Sequence, residues 1–67
     1  MILNNKVKFE RVALSMTQKD LAKKVGVTRQ TISLIEQGDY NPSLALCKKI
    51  CFTLGKSLDE LFGEDMK

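Results

Sequence analysis

Four glycines and a single proline divide this chain of 67 residues into short runs. Gly26, Gly38, Gly55 and Gly63 each follow a run with helical periodicity, where a left-handed residue stops a helix. Capping residues precede the runs that follow. Thr17 with Asp20 is close to a capping box, with Met16 and Leu21 at the staple positions. Thr28 is the next cap, stapled by Val27 and Ile32. Ser43 follows Pro42, and Ser57 with Glu60 matches the capping box fully. These signals predict helices over 5–14, 17–25, 28–37, 43–54 and 57–62. Nothing alternates with period two for long enough to demand a strand. Met1-Ile2-Leu3 is the exception, readable as a short terminal β-strand or a frayed end. The fold class expected is all-α: a compact five-helix domain spanning 1–67, with no room for a second domain.

Apolar residues fall on one face of each run. Val7 pairs with Leu14. Leu21, Ala22 and Val25 form a second stripe, and Ile32 with Ile35 a third. Leu46, Cys47, Ile50, Cys51 and Leu54 make the richest stripe, completed by Leu58, Leu61 and Phe62. Phe9 fits none of them and is free to pack against the termini or a second subunit. A chain of this size hides only about 60% of its unfolded surface, so dimerisation is a common remedy.

Several classes of chemistry are disfavoured. Histidine is absent, which removes the commonest general base and metal ligand. Cys47 and Cys51 are the two cysteines, fewer than a structural zinc normally takes. Their i, i+4 spacing on an apolar face reads as core packing rather than redox or metal chemistry. There is no Gly-rich phosphate loop. The expectation is no enzyme, no metal, no cofactor and no small-molecule effector. No signal-peptide pattern opens the chain, and no apolar run approaches the ~18 residues that span a bilayer. A cytoplasmic protein without membrane contact is expected, its cysteines reduced.

Charge is unevenly distributed. The net charge is +3. Residues 57–67 hold Asp59, Glu60, Glu64 and Asp65 against Lys67 alone, whereas residues 1–56 carry ten basic and four acidic side chains. A basic body with an acidic end fits a polyanionic partner, with a solvated surface as the plainer alternative.

Residues 17–37 narrow the choice. Two short helices are joined by Gly26-Val27-Thr28. So tight a turn makes them cross steeply, with Ala22 small at the crossing and Val27 plugging the corner. That is the pattern of a helix-turn-helix formed by helices 2 and 3. If Ile32 and Ile35 face inward, Arg29, Gln30, Ser33, Leu34 and Gln37 face outward. Arg can grip guanine O6 and N7, and Gln can grip adenine N6 and N7. Leu34 could lie on a thymine methyl, although one exposed Leu needs no explanation.

The stretch from about Asn5 to Phe62 resembles the phage-repressor and Cro-type helix-turn-helix family, also called the XRE family. The resemblance is carried by Arg11, Thr17-Gln18, Leu21-Ala22, Gly26-Val27-Thr28-Arg29-Gln30-Thr31-Ile32-Ser33, Ile35-Glu36, Gly38, Tyr40-Asn41-Pro42-Ser43-Leu44 and Ser57-Leu58-Asp59-Glu60-Leu61-Phe62. The chain is similar to very small stand-alone bacterial regulators that act as homodimers. The resemblance implies base reading by Arg29, Gln30, Thr31, Ser33 and Leu34. It implies phosphate contacts from Thr17, Gln18, Thr28, Gln37, Tyr40 and Asn41. It also implies a structural ion pair between Arg11 and Glu36, weighed against a direct DNA role for Arg11.

The partner implied is double-stranded DNA, read as a palindromic operator by a homodimeric repressor with helix 3 in the major groove. Leu58, Leu61 and Phe62 are the expected dimer interface. Lys6, Lys8, Lys19 and Lys23 could add diffuse phosphate contacts. The chain departs from the family pattern at Glu10, where an apolar residue is frequent, with Phe9 apolar beside it. It departs again at Asp39, where Lys is frequent. The alternative is a protein-interaction module of the same fold, an antitoxin or adaptor, with DNA binding secondary.

Overall fold

The computed structural model describes residues 5–66, with side chains described through Gly63. It contains α1 (Val7–Ala13), α2 (Gln18–Val25), α3 (Arg29–Gln37), α4 (Leu44–Leu54) and α5 (Leu58–Met66), and no strand among the described residues. The strand considered at Met1-Ile2-Leu3 lies outside them. The all-α, five-helix expectation is met. Thr17, Thr28 and Ser43 cap α2, α3 and α4 through their hydroxyl oxygens. Ser57 and Glu60 close a reciprocal box at the start of α5.

The tight turn between α2 and α3 rests on Gly26, whose φ is +77°. A Cβ there would meet nothing within 4 Å, so the backbone angle, and not space, asks for glycine. Gly38 and Gly55 end α3 and α4 in the same left-handed conformation. Gly63 does not behave as expected. It lies inside α5, which continues to Met66.

Helix 1 departs furthest from its predicted pattern. Its N-terminus is closed by Asn5, whose side-chain oxygen accepts from the Val7 amide at 3.1 Å. The Asn5 amide donates to the Ile35 carbonyl at 2.9 Å, tying the start of α1 to α3. The helix stops at Ala13, and Ser15 takes a φ of +58° without being glycine. Leu14 therefore leaves the helix before it can share a face with Val7, and it is half exposed. The buried side of α1 is Val7 and Arg11, an i, i+4 pair of which one is charged. Phe9 points outward at 71% exposure, while Glu10 is partly covered and lies 3.9 Å from Lys56.

The core joins Val7, Leu21, Ala22, Val25, Ile32, Ile35, Cys47, Ile50, Cys51, Leu54, Leu61 and Phe62. Helix 4 packs against α1, α2 and α5. Met16, Val27, Leu46 and Leu58 close its margins. Leu61 and Phe62, expected at a dimer interface, are 2% and 0% exposed in the single chain. So small a core needs its large apolar side chains inside, which leaves these two nothing to offer a second copy. Leu58 keeps part of its surface.

Burial pushes both thiols above their ordinary pKa. Cys47 and Cys51 are free, buried cysteines of the core, as their spacing implied.

Candidate nucleic-acid interface

Helix 3 is nine residues long, or roughly 14 Å at 1.5 Å per residue. Ile32 and Ile35 bury one side completely. Arg29, Gln30 and Gln37 are exposed on the other, with Thr31, Ser33 and Leu34 half-buried. Leu34 is thus less exposed than its place on a polar face suggested. Gln37 donates to the Ser33 hydroxyl at 3.1 Å, one turn back along this face.

The Thr28 hydroxyl oxygen accepts from the Thr31 amide at 3.2 Å and lies 3.0 Å from the Thr31 hydroxyl. These two threonines, expected to touch DNA, already order the first turn of α3. At the start of α2, the Thr17 hydroxyl accepts from the Asp20 amide and the Asp20 carboxylate accepts from the Thr17 amide, both at 3.0 Å. The Thr17 amide, with its hydroxyl beside it, holds the Asp20 carboxyl below its ordinary pKa.

A polar chain runs behind this surface. Arg11 donates to Glu36 through Nε at 2.7 Å and Nη2 at 3.3 Å, a forked pair joining α1 to α3. Its Nη1 donates to the Met16 carbonyl, just before α2 begins, at 2.6 Å. The ion pair expected from the sequence is therefore present, with side-chain exposures of 9% and 3%. Glu36 Oε1 also accepts from Gln18 Nε2 at 3.0 Å, while Gln18 Oε1 accepts from Arg29 Nη1 at 3.2 Å. A carboxylate needs a donor and a guanidinium an acceptor, so only one orientation of the Gln18 amide satisfies both. Buried charge at Glu36 thus sets the orientation of Gln18, and Gln18 steadies the exposed Arg29.

Sequence reasoning anticipated the pair but not its extension through Gln18 to Arg29. Asn5 was likewise missed as the tie between α1 and α3. Neither has a local signal, because each bond joins residues far apart in sequence. Tyr40 and Asn41 are exposed in the loop between α3 and α4, where Asp39 is also exposed. Among the described residues no group of His, Cys, Asp and Glu could hold a metal ion. No helix among them is long and apolar enough to cross a membrane.

Comparison with known proteins agrees with this geometry. A family model described as helix-turn-helix, HTH_3, matches residues 7–61. An uncharacterized HTH-type transcriptional regulator of Methanocaldococcus jannaschii is 48% identical over 60 residues, covering 90% of this chain and 91% of the relative. The immunity repressor protein of Bacillus phage phi105 is 31% identical over 65 residues, which is 97% of this chain and 45% of the repressor. Among solved structures, the restriction-modification controller protein C.AhdI from Aeromonas hydrophila superposes with a TM-score of 0.77. It is 27% identical, with 82% of this chain and 83% of that one covered.

Proposed function

The chain belongs to the HTH_3 helix-turn-helix family, whose members are DNA-binding transcriptional regulators and not enzymes, and from that premise we propose that it is a repressor acting as a homodimer on a palindromic operator. Helix 3 enters the major groove. Arg29 and Gln30 read base edges through paired hydrogen bonds, with Thr31, Ser33 and Leu34 beside them. Thr17, Gln18, Thr28, Gln37, Tyr40 and Asn41 set the register by meeting phosphates and sugars. Two copies related by a two-fold axis place their α3 helices in successive grooves, about 34 Å apart. Repression follows from occluding promoter DNA, and the likeness to a phage immunity repressor supports that reading.

The observation that carries this proposal is the network from Arg11 through Glu36 and Gln18 to Arg29. It spends buried charge on the orientation of an exposed guanidinium at the first residue of α3. A merely solvated helix has no use for such support. Dimerisation is part of the same proposal and does not rest on Leu61 or Phe62, which the fold keeps inside. Sedimentation with and without a two-fold symmetric duplex is the test. Two protomers per duplex are expected, and one protomer on a single half-site would overturn the dimer. A protein adaptor of this fold would instead bind all duplexes alike.

A further inference from the structure

On a surface separate from α3, the end of α2 and the outer side of α4 form an open groove. Its lining includes Lys23, Lys24, Lys48, Lys49 and Phe52. No acidic residue and no residue of α3 lines it. None of these four lysines takes part in an ion pair among the described residues. Asp20, one turn back along α2, is the acid that feels Lys23 and Lys24, but it is held by the Thr17 cap and lies outside the groove. Phe52 is 90% exposed, the most exposed large apolar side chain of the described residues.

Four lysines outside any ion pair among the described residues, around a bare aromatic ring with no acid in the groove, make an unusual combination for a solvated face. Like charges disfavour the groove as a symmetric contact between two copies, because the lysines of each would face those of the other. A DNA backbone would satisfy the lysines but leave the ring uncovered. An acidic peptide carrying an apolar side chain satisfies both, its carboxylates meeting the ammonium groups and its apolar group covering Phe52.

We propose that this groove docks an acidic segment of a protein partner, anchored by an apolar residue on Phe52, while α3 remains available to DNA. This goes beyond the operator reading and does not depend on it. The test is fluorescence anisotropy of a short labelled peptide of Asp and Glu with a central Leu-Phe pair, titrated with the full chain. Saturable binding that weakens as salt rises is expected. Phe52→Ser, or a peptide with Ser in place of Leu and Phe, loses affinity severalfold. The double variant Lys48→Glu with Lys49→Glu loses about tenfold. All are surface changes, and circular dichroism checks that the variants stay folded. Affinity for a duplex without an operator changes less in the Phe52→Ser variant than affinity for the peptide. Equal binding of the peptide to wild type and to all variants would overturn the proposal. So would displacement of the peptide by that duplex at matched charge, which would give the groove to the DNA backbone. Salt-sensitive self-association lost with Lys48→Glu and Lys49→Glu would give it to a second copy.

Discussion

The side-chain amide of Gln18 donates to the Glu36 carboxylate at 3.0 Å, joining the first residue of α2 to the last turn of α3. Glu36 also receives the Arg11 guanidinium at 2.7 Å, and its side chain is almost wholly buried. Three helices therefore meet on one carboxylate, and the same amide continues to Arg29. The orientation of the reading helix is set from behind, by charge, as well as by the packing of Ile32 and Ile35.

Removing one partner of this pair strands a buried charge. Arg11→Ala or Glu36→Ala should each cost about 3–5 kcal/mol in urea unfolding, whereas a packed apolar replacement of both should be much closer to neutral. Equal and small losses for the single variants would show the pair to be a surface contact.

The end of helix 1 is a second place to intervene. Ser15 holds a φ of +58°, a conformation that costs a side-chain-bearing residue about 1 kcal/mol. Ser15→Gly should raise stability by about 0.5–1 kcal/mol, read as a higher denaturation midpoint with an unchanged slope. A lower midpoint would mean that the serine side chain contributes more than its backbone strain costs.

Acid should loosen the caps. Hydrogen bonds from the Thr17 backbone hold the Asp20 carboxyl below its ordinary value of 3.8, and those from the Ser57 backbone hold Glu60 below 4.5. A group whose pKa is depressed on folding stabilises the fold above its unfolded value. That contribution is lost as pH falls through the folded value. Melting temperature should therefore drop as pH falls from about 5 towards 3, and Asp20→Asn with Glu60→Gln should flatten this acid limb. An unchanged limb in the double variant would place the acid sensitivity elsewhere.

Leu61 separates core from interface. Its side chain is 2% exposed, so Leu61→Ala should cost about 2–5 kcal/mol in the protomer. Stability unaffected by the substitution, with a loss of dimer alone, would return Leu61 to an interface.

Much of this was legible in the sequence because the deciding signals are local. Thr17 with Asp20, Thr28, Ser43 and Ser57 with Glu60 announce where helices begin, and Gly26 marks the turn between α2 and α3. The misreadings have tertiary causes. Leu14 follows Val7 at helical spacing, yet the chain turns at Ser15, a stop with no glycine to signal it. Gly63 reads as a stop, but α5 passes through it. Leu61 and Phe62 read equally well as core or as interface, because an apolar stripe does not say which neighbour covers it. The outward face of α3 follows from periodicity. The support given to Arg29 by Gln18 does not, because it joins residues from two helices.

The most direct test is selection of bound sequences from a random duplex pool, with affinity then followed against salt. A dimeric reader predicts one enriched, two-fold symmetric site, bound far more tightly than bulk DNA. It also predicts that Arg29→Ala or Gln30→Ala loses about 1–3 kcal/mol on that site and relaxes the preference at one base pair of each half. No enrichment, with weak salt-sensitive binding lost equally on all duplexes, would contradict sequence reading and leave only a basic surface attracted to polyanions.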